Sequence, residues 1–423
     1  MTAYTTDRQF AEQLDREDPL ASYRDRFHIP RQKNGKEYLY FTGNSLGLQP
    51  KTTRAFVEQE LEDWANLGVE GHFHAKNPWM PYHGFLTDTT ARLVGAKPHE
   101  VVVMNSLTVN LHLLMVSFYR PTADRYKIVI EADAFPSDKY AVKSQLRYHG
   151  YDPEEALIQL RSQSGDPVIP TEEILELIER EGDQIALIMI GGVNYYTGQA
   201  FEMDKITQAG HAKGCTVGFD LAHGAGNLHL KLHEWGPDFA CWCSYKYLNS
   251  GPGGLSGIFV HERHAKRNDL PRFQGWWGHN QDNRFKMPDN FEAMYGAEAW
   301  QLSNPPILPL AALRASMEIF DEVGMLALRE KSEKLTGYFH YLLGELNRDQ
   351  NVRVITPSDP KHRGCQLSLQ TRENGRAIFD RLTERGVIAD WREPDVIRVA
   401  PVPLYNTFVD VWEFVQLLTG TEY

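Results

Sequence analysis

Between residues 100 and 260 the chain alternates short apolar runs with helix-spaced segments, and this alternation restricts the fold more than any other feature. Runs of four to eight apolar residues predict buried strands, and apolar residues three or four apart predict helices. Strands that alternate with helices indicate βαβ units, and therefore an α/β protein with a mainly parallel sheet covered by helices. The predicted strands are "EVVVMNS", "YKIVIEAD", "IALIMI", "CTVGFD", "FACWC" and "GIFVH".

Helices are predicted between these strands and on both sides of them. The segments are 52–67, "LTVNLHLLMVSF", "FPSDKYAVKSQLRY", "EEILELIER", "DKITQAGHAKG", 309–321, 325–347, 375–385 and 408–419. Ser137 is the expected N-cap of the third segment, Thr171 opens the fourth, and Gly68 ends the first. The first helix carries its apolar face on Val57, Leu61, Trp64 and Ala65.

Prolines in "SNPPILPLAAL" divide the chain into parts of different character. Before them lies the βαβ region, and after them come two long helices and mixed short strands ("VRVIT", "CQLSLQ", "VIADW", "VIRVA"). We therefore expect an N-terminal segment over 1–50 that packs with a small domain, a large domain over 51–305, and a smaller α/β domain over 306–423.

Composition limits the function classes. The 423 residues carry a net charge of −12, which argues against nucleic acid and anionic membranes as partners, because both attract basic surfaces. The first residues show no secretory signal pattern, and the longest apolar run is too short to span a bilayer. Four cysteines form no metal motif, and Cys241 and Cys243 are expected to be buried thiols. A cytoplasmic protein is the expectation.

Polar side chains follow three of the predicted strands. The first strand leads through Asn105 to Thr108, where a helix begins; "CTVGFD" ends at Asp220, three residues before His223; and "FACWC" is followed by Lys246. Each alone has an ordinary explanation, as a helix cap, an ion pair or a solvated loop lysine. Ligands of open α/β sheets collect at the carboxyl ends of strands, so these groups are expected to meet.

Together these groups match what pyridoxal phosphate requires. A helix N-terminus binds its phosphate, an acid holds its ring nitrogen protonated, and a lysine forms the Schiff base and then moves protons. A metal-dependent hydrolase is the alternative from another class, since His229 and His233 stand four residues apart. That alternative leaves Lys246 unexplained, and we expect no metal.

The chain resembles the kynureninase family in eleven blocks that follow the family order. They are "YFTGNSLGLQP", "WANLGVEGHF", "NSLTVNLHLLM", "FPSDKYAV", "YYTGQ", "GFDLAHGAGN", "SYKYLNSGPGG", "GWWGH", "LSNPPIL", "RGCQLSL" and "IRVAPVPLYN". The resemblance implies a pyridoxal-phosphate enzyme of fold type I and a homodimer with active sites at its interface. The implied reaction is hydrolysis of the Cβ–Cγ bond of L-kynurenine or 3-hydroxy-L-kynurenine, in tryptophan catabolism or NAD biosynthesis.

The resemblance also implies roles for individual residues. Lys246 is similar to the Schiff-base lysine, and Tyr245 to a phosphate-binding tyrosine that also aids proton transfer. The implied cofactor contacts are Leu107, Thr108, Phe135, Asp138, Asp220, His223, Tyr245, Lys246, Trp276 and Asn304. The implied substrate contacts are Ser45, His72, His279, Ser303, Asn304 and the carboxylate-binding Arg398.

Two finer expectations accompany these roles. His72 and Asn304 resemble the pair that favours a 3-hydroxylated ring. No cofactor contact is assigned near Gly191 and Gly192, where relatives carry a small hydroxyl residue. The alternative within the same fold is a cysteine desulfurase or an aminotransferase, but a desulfurase needs a mobile catalytic cysteine, and Cys365 resembles a strand residue instead.

Overall fold

The computed structural model describes residues 4–347 and 350–420. Its helices are α1 (Arg8–Arg16), α2 (Thr53–Leu67), α3 (Gly71–His74), α4 (Thr87–Val94), α5 (Leu107–Phe118), α6 (Pro136–Tyr148), α7 (Pro153–Ala156), α8 (Thr171–Glu181), α9 (Met203–Ala212), α10 (Leu232–Trp235), α11 (Ile307–Val323), α12 (Met325–Leu346), α13 (Gly375–Glu384) and α14 (Phe408–Thr419). Its strands are β1 (Leu39–Tyr40), β2 (Val101–Met104), β3 (Lys127–Glu131), β4 (Leu157–Leu160), β5 (Ile185–Gly191), β6 (Thr216–Asp220), β7 (Phe239–Cys243), β8 (Ser256–Val260), β9 (Val352–Val354), β10 (Leu367–Thr371), β11 (Val387–Ile388), β12 (Asp390–Arg392) and β13 (Val396–Val399).

A seven-stranded sheet in the order β2-β8-β7-β6-β5-β3-β4 forms the centre of the chain. Neighbouring strands from β4 to β7 pair in parallel, and β8 runs antiparallel to both β7 and β2. Strands such as β2 and β7 are buried throughout, since apolar clusters lie on both faces of the sheet. The predicted fold class, a mainly parallel sheet covered by helices, is confirmed.

The parallel register brings the carboxyl ends of three strands together. Gly191 at the end of β5 pairs with Asp220 at the end of β6, and Asp220 pairs with Cys241 of β7. Three residues after β7 ends at Cys243, the chain reaches Lys246. This edge is where ligands of open α/β sheets bind.

The C-terminal part of the chain has its own antiparallel sheet, in the order β12-β13-β10-β9. The N-terminal segment packs on this C-terminal part of the chain. Strand β1 pairs in parallel with β11 in a separate two-stranded sheet. Asp15 accepts hydrogen bonds from the N–H groups of Phe408 and Val409 at the start of α14. Residues of α11, by contrast, lie in the same apolar core as β5 and β6. The domain boundaries at 50 and 305 stay a prediction.

Two local expectations are wrong. Helix α6 has Phe135 at its N-cap and Pro136 inside its first turn, so Ser137 lies within the helix. Proline favours the first helical position because its fixed φ suits the helix and it has no N–H to leave unpaired.

The apolar face of α2 is the second correction. Leu61 and Trp64 are 42% and 61% exposed, whereas Glu60 is buried. The Glu60 carboxylate accepts hydrogen bonds from Trp79 Nε1 and the Tyr82 hydroxyl, both at 2.8–2.9 Å. These two donors offset the cost of burying a charge, so Glu60 faces inward while Leu61 and Trp64 face outward; Val57 of the expected face does pack against the core.

The cysteines are free and buried, as expected of Cys241 and Cys243. Cys365 lies two residues before β10 instead of within a strand. Among the described residues, no helix combines the length and apolar character that crossing a membrane requires.

Candidate active site

Lys246 lies in the turn that follows β7, and its ammonium group points at an imidazole. Lys246 Nζ lies 3.0 Å from His223 Nε2 and 5.8 Å from the centre of the Phe135 ring. His223 follows Asp220 by three residues, so the parallel pairing of β6 and β7 sets this contact. The sequence prediction that these strand ends meet is therefore confirmed in the structure.

His223 is buried, and its pKa lies well below the ordinary histidine value. Burial is the largest cause, and the positive charges of Lys246, Arg398 and Arg392 add to it. The imidazole is therefore neutral, and its Nε2 accepts a hydrogen bond from Lys246. Its proton then lies on Nδ1, a buried atom without a partner in the described part of the chain.

Two buried carboxyl groups, Asp138 and Asp220, face the same space. Asp220 Oδ1 accepts a hydrogen bond from the N–H of Ala222 at 2.7 Å. Burial raises the pKa of both acids, and the charge of Asp220 raises the pKa of Asp138 further, while the hydrogen bond from Asp138 lowers that of Asp220. Asp138 therefore holds the proton, and Asp220 presents one negative charge stabilised by its neighbours.

A candidate anion subsite lies at the start of α5. Leu107 and Thr108 form its first turn, whose N–H groups have no partners within the helix. Thr108 Oγ1 lies 2.9 Å from Ser137 Oγ in the first turn of α6, so two hydroxyl groups converge there. Hydroxyl donors beside a helix N-terminus are suited to bind phosphate.

These groups line one cavity of about 200 Å³. Tyr245 lines it as well, and burial raises the pKa of its hydroxyl, which therefore keeps its proton. The cavity presents an amine, an acid pair, an aromatic ring and an anion subsite, and these are the groups that pyridoxal phosphate requires. The lining residues are Ser106, Leu107, Thr108, Glu131, Phe135, Ser137, Asp138, Gly191, Val193, Tyr195, Asp220, Ala222, His223, Tyr245 and Lys246.

Arg398 approaches the cavity from the C-terminal sheet. It is 1% exposed, its Nη1 donates to the Tyr195 carbonyl at 2.7 Å, and it pairs with Asp390. Its Nε is buried and has no hydrogen-bond partner in the residues described. Arg398 itself does not line the cavity, and the carboxylate-binding role expected of it stays a prediction.

Besides Arg398, six of the expected contacts do not line the cavity within a single chain: Ser45, His72, Trp276, His279, Ser303 and Asn304. Ser303 and Asn304 are exposed, and Trp276 is 38% exposed. His279 is buried by its own loop, with Nε2 2.7 Å from Asn283 Oδ1. His72 Nδ1 lies 2.9 Å from the Val69 carbonyl oxygen. These roles stay predictions.

Glu131, at the end of β3, is a cavity residue that the sequence did not reveal. Its Oε1 and Oε2 accept hydrogen bonds from the N–H of Gly191 at 3.0 and 3.2 Å. Burial raises its pKa to about 7, and the charge of Asp220 contributes. A Cβ atom on Gly191 would lie 2.8 Å from Glu131 Oε1, so the glycine makes room for this carboxyl.

Tyr195 was missed too, although it lines the cavity and its ring meets Phe135 edge-on at 5.2 Å. The available signal was position, because both Glu131 and Tyr195 come at or shortly after the carboxyl end of a buried strand.

The histidine pair considered for a metal is not assembled into a common ligand group. Among the described residues, His233 groups with Glu100 and His261, without His229. The Glu100 carboxylate also accepts hydrogen bonds from the N–H groups of Lys97 and Glu262, which satisfy it without an ion. This group adjoins the start of β2 and the end of antiparallel β8, opposite the Lys246 edge of the sheet.

Comparison with solved structures identifies the fold. The cystine C–S lyase C-DES superposes with a TM-score of 0.74 at 16% identity, covering 90% of this chain and 97% of that one. A cysteine desulfurase from Thermococcus onnurineus gives a TM-score of 0.73 at 15% identity, covering 100% and 99%. Another C-DES structure carries glycine covalently linked to its PLP cofactor. Fold and cavity together define a pyridoxal-phosphate enzyme of fold type I.

Sequence relatives define the family. Kynureninase from Myxococcus xanthus is 61% identical over 411 residues, covering 97% of this chain and 96% of the relative. Kynureninase from Koribacter versatilis is 60% identical over 414 residues, covering 98% and 97%. The family model of the kynureninase C-terminal domain matches residues 328–418. The chain belongs to the kynureninase family.

Proposed function

We propose that this protein hydrolyses the Cβ–Cγ bond of L-kynurenine, 3-hydroxy-L-kynurenine or both, and releases L-alanine with the corresponding anthranilate. The observation that carries this proposal is the Lys246–His223 contact beside the Asp138–Asp220 pair in one cavity. It stands in a chain 61% identical to a kynureninase over nearly its full length. The reaction belongs to tryptophan catabolism and supplies precursors for NAD biosynthesis.

The cofactor's place follows from the chemistry of the lining. Bound pyridoxal phosphate supplies an electron sink for the bonds at substrate Cα. Lys246 Nζ would hold it, the Asp220 carboxylate would face its ring nitrogen, and the Phe135 ring would pack on it. The start of α5 and Thr108 Oγ1 would bind its phosphate.

Proton movements are assigned to this chain's own groups. Lys246 Nζ, once released, is the base for the substrate Cα proton. His223 stays neutral and holds Lys246 in place through Nε2. Tyr245 keeps its proton because burial raises its pKa, which suits a donor to Cβ after the bond to Cγ breaks.

Substrate recognition is assigned to both parts of the chain. Arg398 binds the α-carboxylate with a planar fork of donors. His72 and Asn304 favour the 3-hydroxylated ring, because a site built to bind a hydroxyl leaves donors unpaired with the plain substrate. Comparing kcat/KM for the two substrates tests this, and a clear preference for L-kynurenine would reject it.

The remaining contacts are assigned across a homodimer interface. Ser45, His72, Trp276, His279, Ser303 and Asn304 do not line the Lys246 cavity of their own chain. The structure also exposes a set of large apolar side chains on and after α2: Leu61, Trp64, Val69 and Phe73. Exposed apolar groups of this kind mark interaction surfaces, and a second copy of the chain would cover them. Such a dimer is expected in the cytoplasm.

Replacement of Lys246 tests the function. Lys246→Ala should abolish the visible absorbance of the lysine-bound cofactor and the release of fluorescent anthranilate. Lys205→Ala removes an exposed lysine paired with Glu202 and is the matched control. Continued anthranilate release by Lys246→Ala would refute the assignment.

The runner-up function, a cysteine desulfurase, requires a reactive thiol, whereas the four cysteines of this chain are buried. Burial raises the pKa of Cys365 to about 12, so this thiol is not a nucleophile near neutral pH. Release of alanine from L-cysteine, with no reaction of kynurenine, would restore that alternative.

A further inference from the structure

Three charged residues of the C-terminal sheet form an Arg–Asp–Arg cluster (Arg392, Asp390 and Arg398). Asp390 of β12 stands directly opposite Arg398 of β13, and Arg392 is two residues along β12. Strand geometry places all three side chains on one face. Asp390 Oδ2 accepts from Arg392 Nη2 at 2.9 Å and also pairs with Arg398.

The cluster has one positive charge in excess. Two guanidinium groups share one carboxylate, and no second carboxylate pairs with either of them in residues 4–347 and 350–420. The Nε atoms of both arginines are buried without a hydrogen-bond partner within the same residues. Buried donors are normally paired, so unused N–H groups indicate a missing acceptor. An acceptor with the charge of a single carboxylate would balance the cluster.

The cluster lies next to a residue that lines the Lys246 cavity. Arg398 donates to the carbonyl of Tyr195, and Tyr195 lines that cavity. The positive charges of both Arg392 and Arg398 act on His223, the residue that contacts Lys246. The Arg392 side chain is 35% exposed, and its charge still acts on His223 at the reacting end of the cavity.

We propose that Arg392 is a second cation of the substrate carboxylate subsite, held with Arg398 on the Asp390 carboxylate. This inference rests on the proposed function for the identity of the substrate and extends it to a residue without an assigned role. Asp390 keeps the two guanidinium groups together when the subsite is empty. The ligand class is an α-amino acid, whose carboxylate supplies the one negative charge that balances the cluster.

The probe is L-alanine, compared with ethylamine, which lacks only the carboxylate. Both are titrated into the holoenzyme and followed by visible absorbance of the cofactor. Arg392→Gln should weaken L-alanine binding by about 10- to 100-fold, the effect of one lost charge-assisted hydrogen bond. Ethylamine binding should change by less than about 2-fold, since the perturbed contact is electrostatic and specific to the carboxylate.

Two further variants keep the result interpretable. Arg392→Lys retains the charge and should recover most of the L-alanine affinity. Arg376→Gln removes an exposed arginine of α13 that pairs with Asp380, and should leave both titrations unchanged. The proposal is overturned if Arg392→Gln leaves L-alanine binding intact, or weakens L-alanine and ethylamine equally.

This experiment is separable from the test of the reaction. Anthranilate release by the wild-type enzyme tests the proposed function, whereas L-alanine binding needs no turnover. A carboxylate-specific loss in Arg392→Gln would therefore support the subsite even if kynurenine were not the substrate.

Discussion

The Glu131 carboxyl offers a quantitative test of how burial sets the charges in the cavity. Its pKa is raised from 4.5 to about 7. At about 1.4 kcal/mol per pKa unit, this rise corresponds to about 3 kcal/mol of unfolding free energy. Because the folded-state pKa is the higher one, this stability is present below pH 4.5 and is lost as the pH rises through about 7.

Glu131→Gln removes this titration and keeps the acceptor for the Gly191 N–H. The variant's free energy of unfolding, relative to wild type, should therefore rise by about 2 to 3 kcal/mol between pH 5 and pH 8. Urea unfolding of the cofactor-free proteins, followed by tryptophan fluorescence at four pH values, measures it. The new amide can also change the free energy of unfolding by an amount that does not depend on pH. This constant does not affect the test, because only the change of the variant–wild-type difference with pH is compared.

Glu176→Gln, which removes an exposed carboxylate of α8, is the control for loss of one surface charge. The reasoning is refuted if the difference between Glu131→Gln and wild type stays flat with pH, or falls as the pH rises. Either result would mean that folding does not raise the pKa of Glu131.

Four other predictions address the cofactor site, the core and the interface. Phe135→Leu should weaken pyridoxal phosphate binding to the cofactor-free protein by about 3- to 10-fold, the value of a lost aromatic contact; unchanged affinity would argue against ring packing. Thr108→Ala should weaken pyridoxal phosphate binding by about 10- to 100-fold through loss of a donor to phosphate. An equal loss of affinity for pyridoxal, which has no phosphate, would contradict the phosphate role. Gly218→Ala should cost about 1 to 3 kcal/mol in urea unfolding, because its Cβ would lie 2.2 Å from the Phe239 ring; an unchanged midpoint would contradict this. Trp64→Glu should shift sedimentation towards the monomer, and a dimer of unchanged stability would exclude α2 from the interface.

The sheet and one corner of the site could be read from the sequence because their signals are local. The apolar run "IALIMI" lies in β5, and "LTVNLHLLMVSF" coincides with α5. The rule that strand ends converge then placed Lys246, His223 and Asp220 together. This step needs only strand direction, and direction follows from the βαβ alternation.

The buried carboxyls were not readable in the same way. Glu131 looks like an ordinary polar strand end, and its partner, the N–H of Gly191, is 60 residues away. Glu60 looks like a solvated helix residue until Trp79 and Tyr82 donate to it. In both cases, hydrogen-bond donors from distant parts of the chain allow the carboxyl group to be buried. The hydropathy of the segment alone predicts that the same carboxyl group is exposed.

The charges of the cavity are arranged so that binding changes few of them. Burial keeps Asp138 protonated and His223 neutral, which leaves Asp220 as the charged member of the Asp138–Asp220 pair. The Arg–Asp–Arg cluster brings one net positive charge from the C-terminal sheet. A cofactor cation beside Asp220 and a substrate carboxylate beside the cluster would each meet one opposite charge, so no buried charge is left uncompensated. The hydrogen bond from Arg398 to the Tyr195 carbonyl links the C-terminal sheet to a residue that lines the cavity.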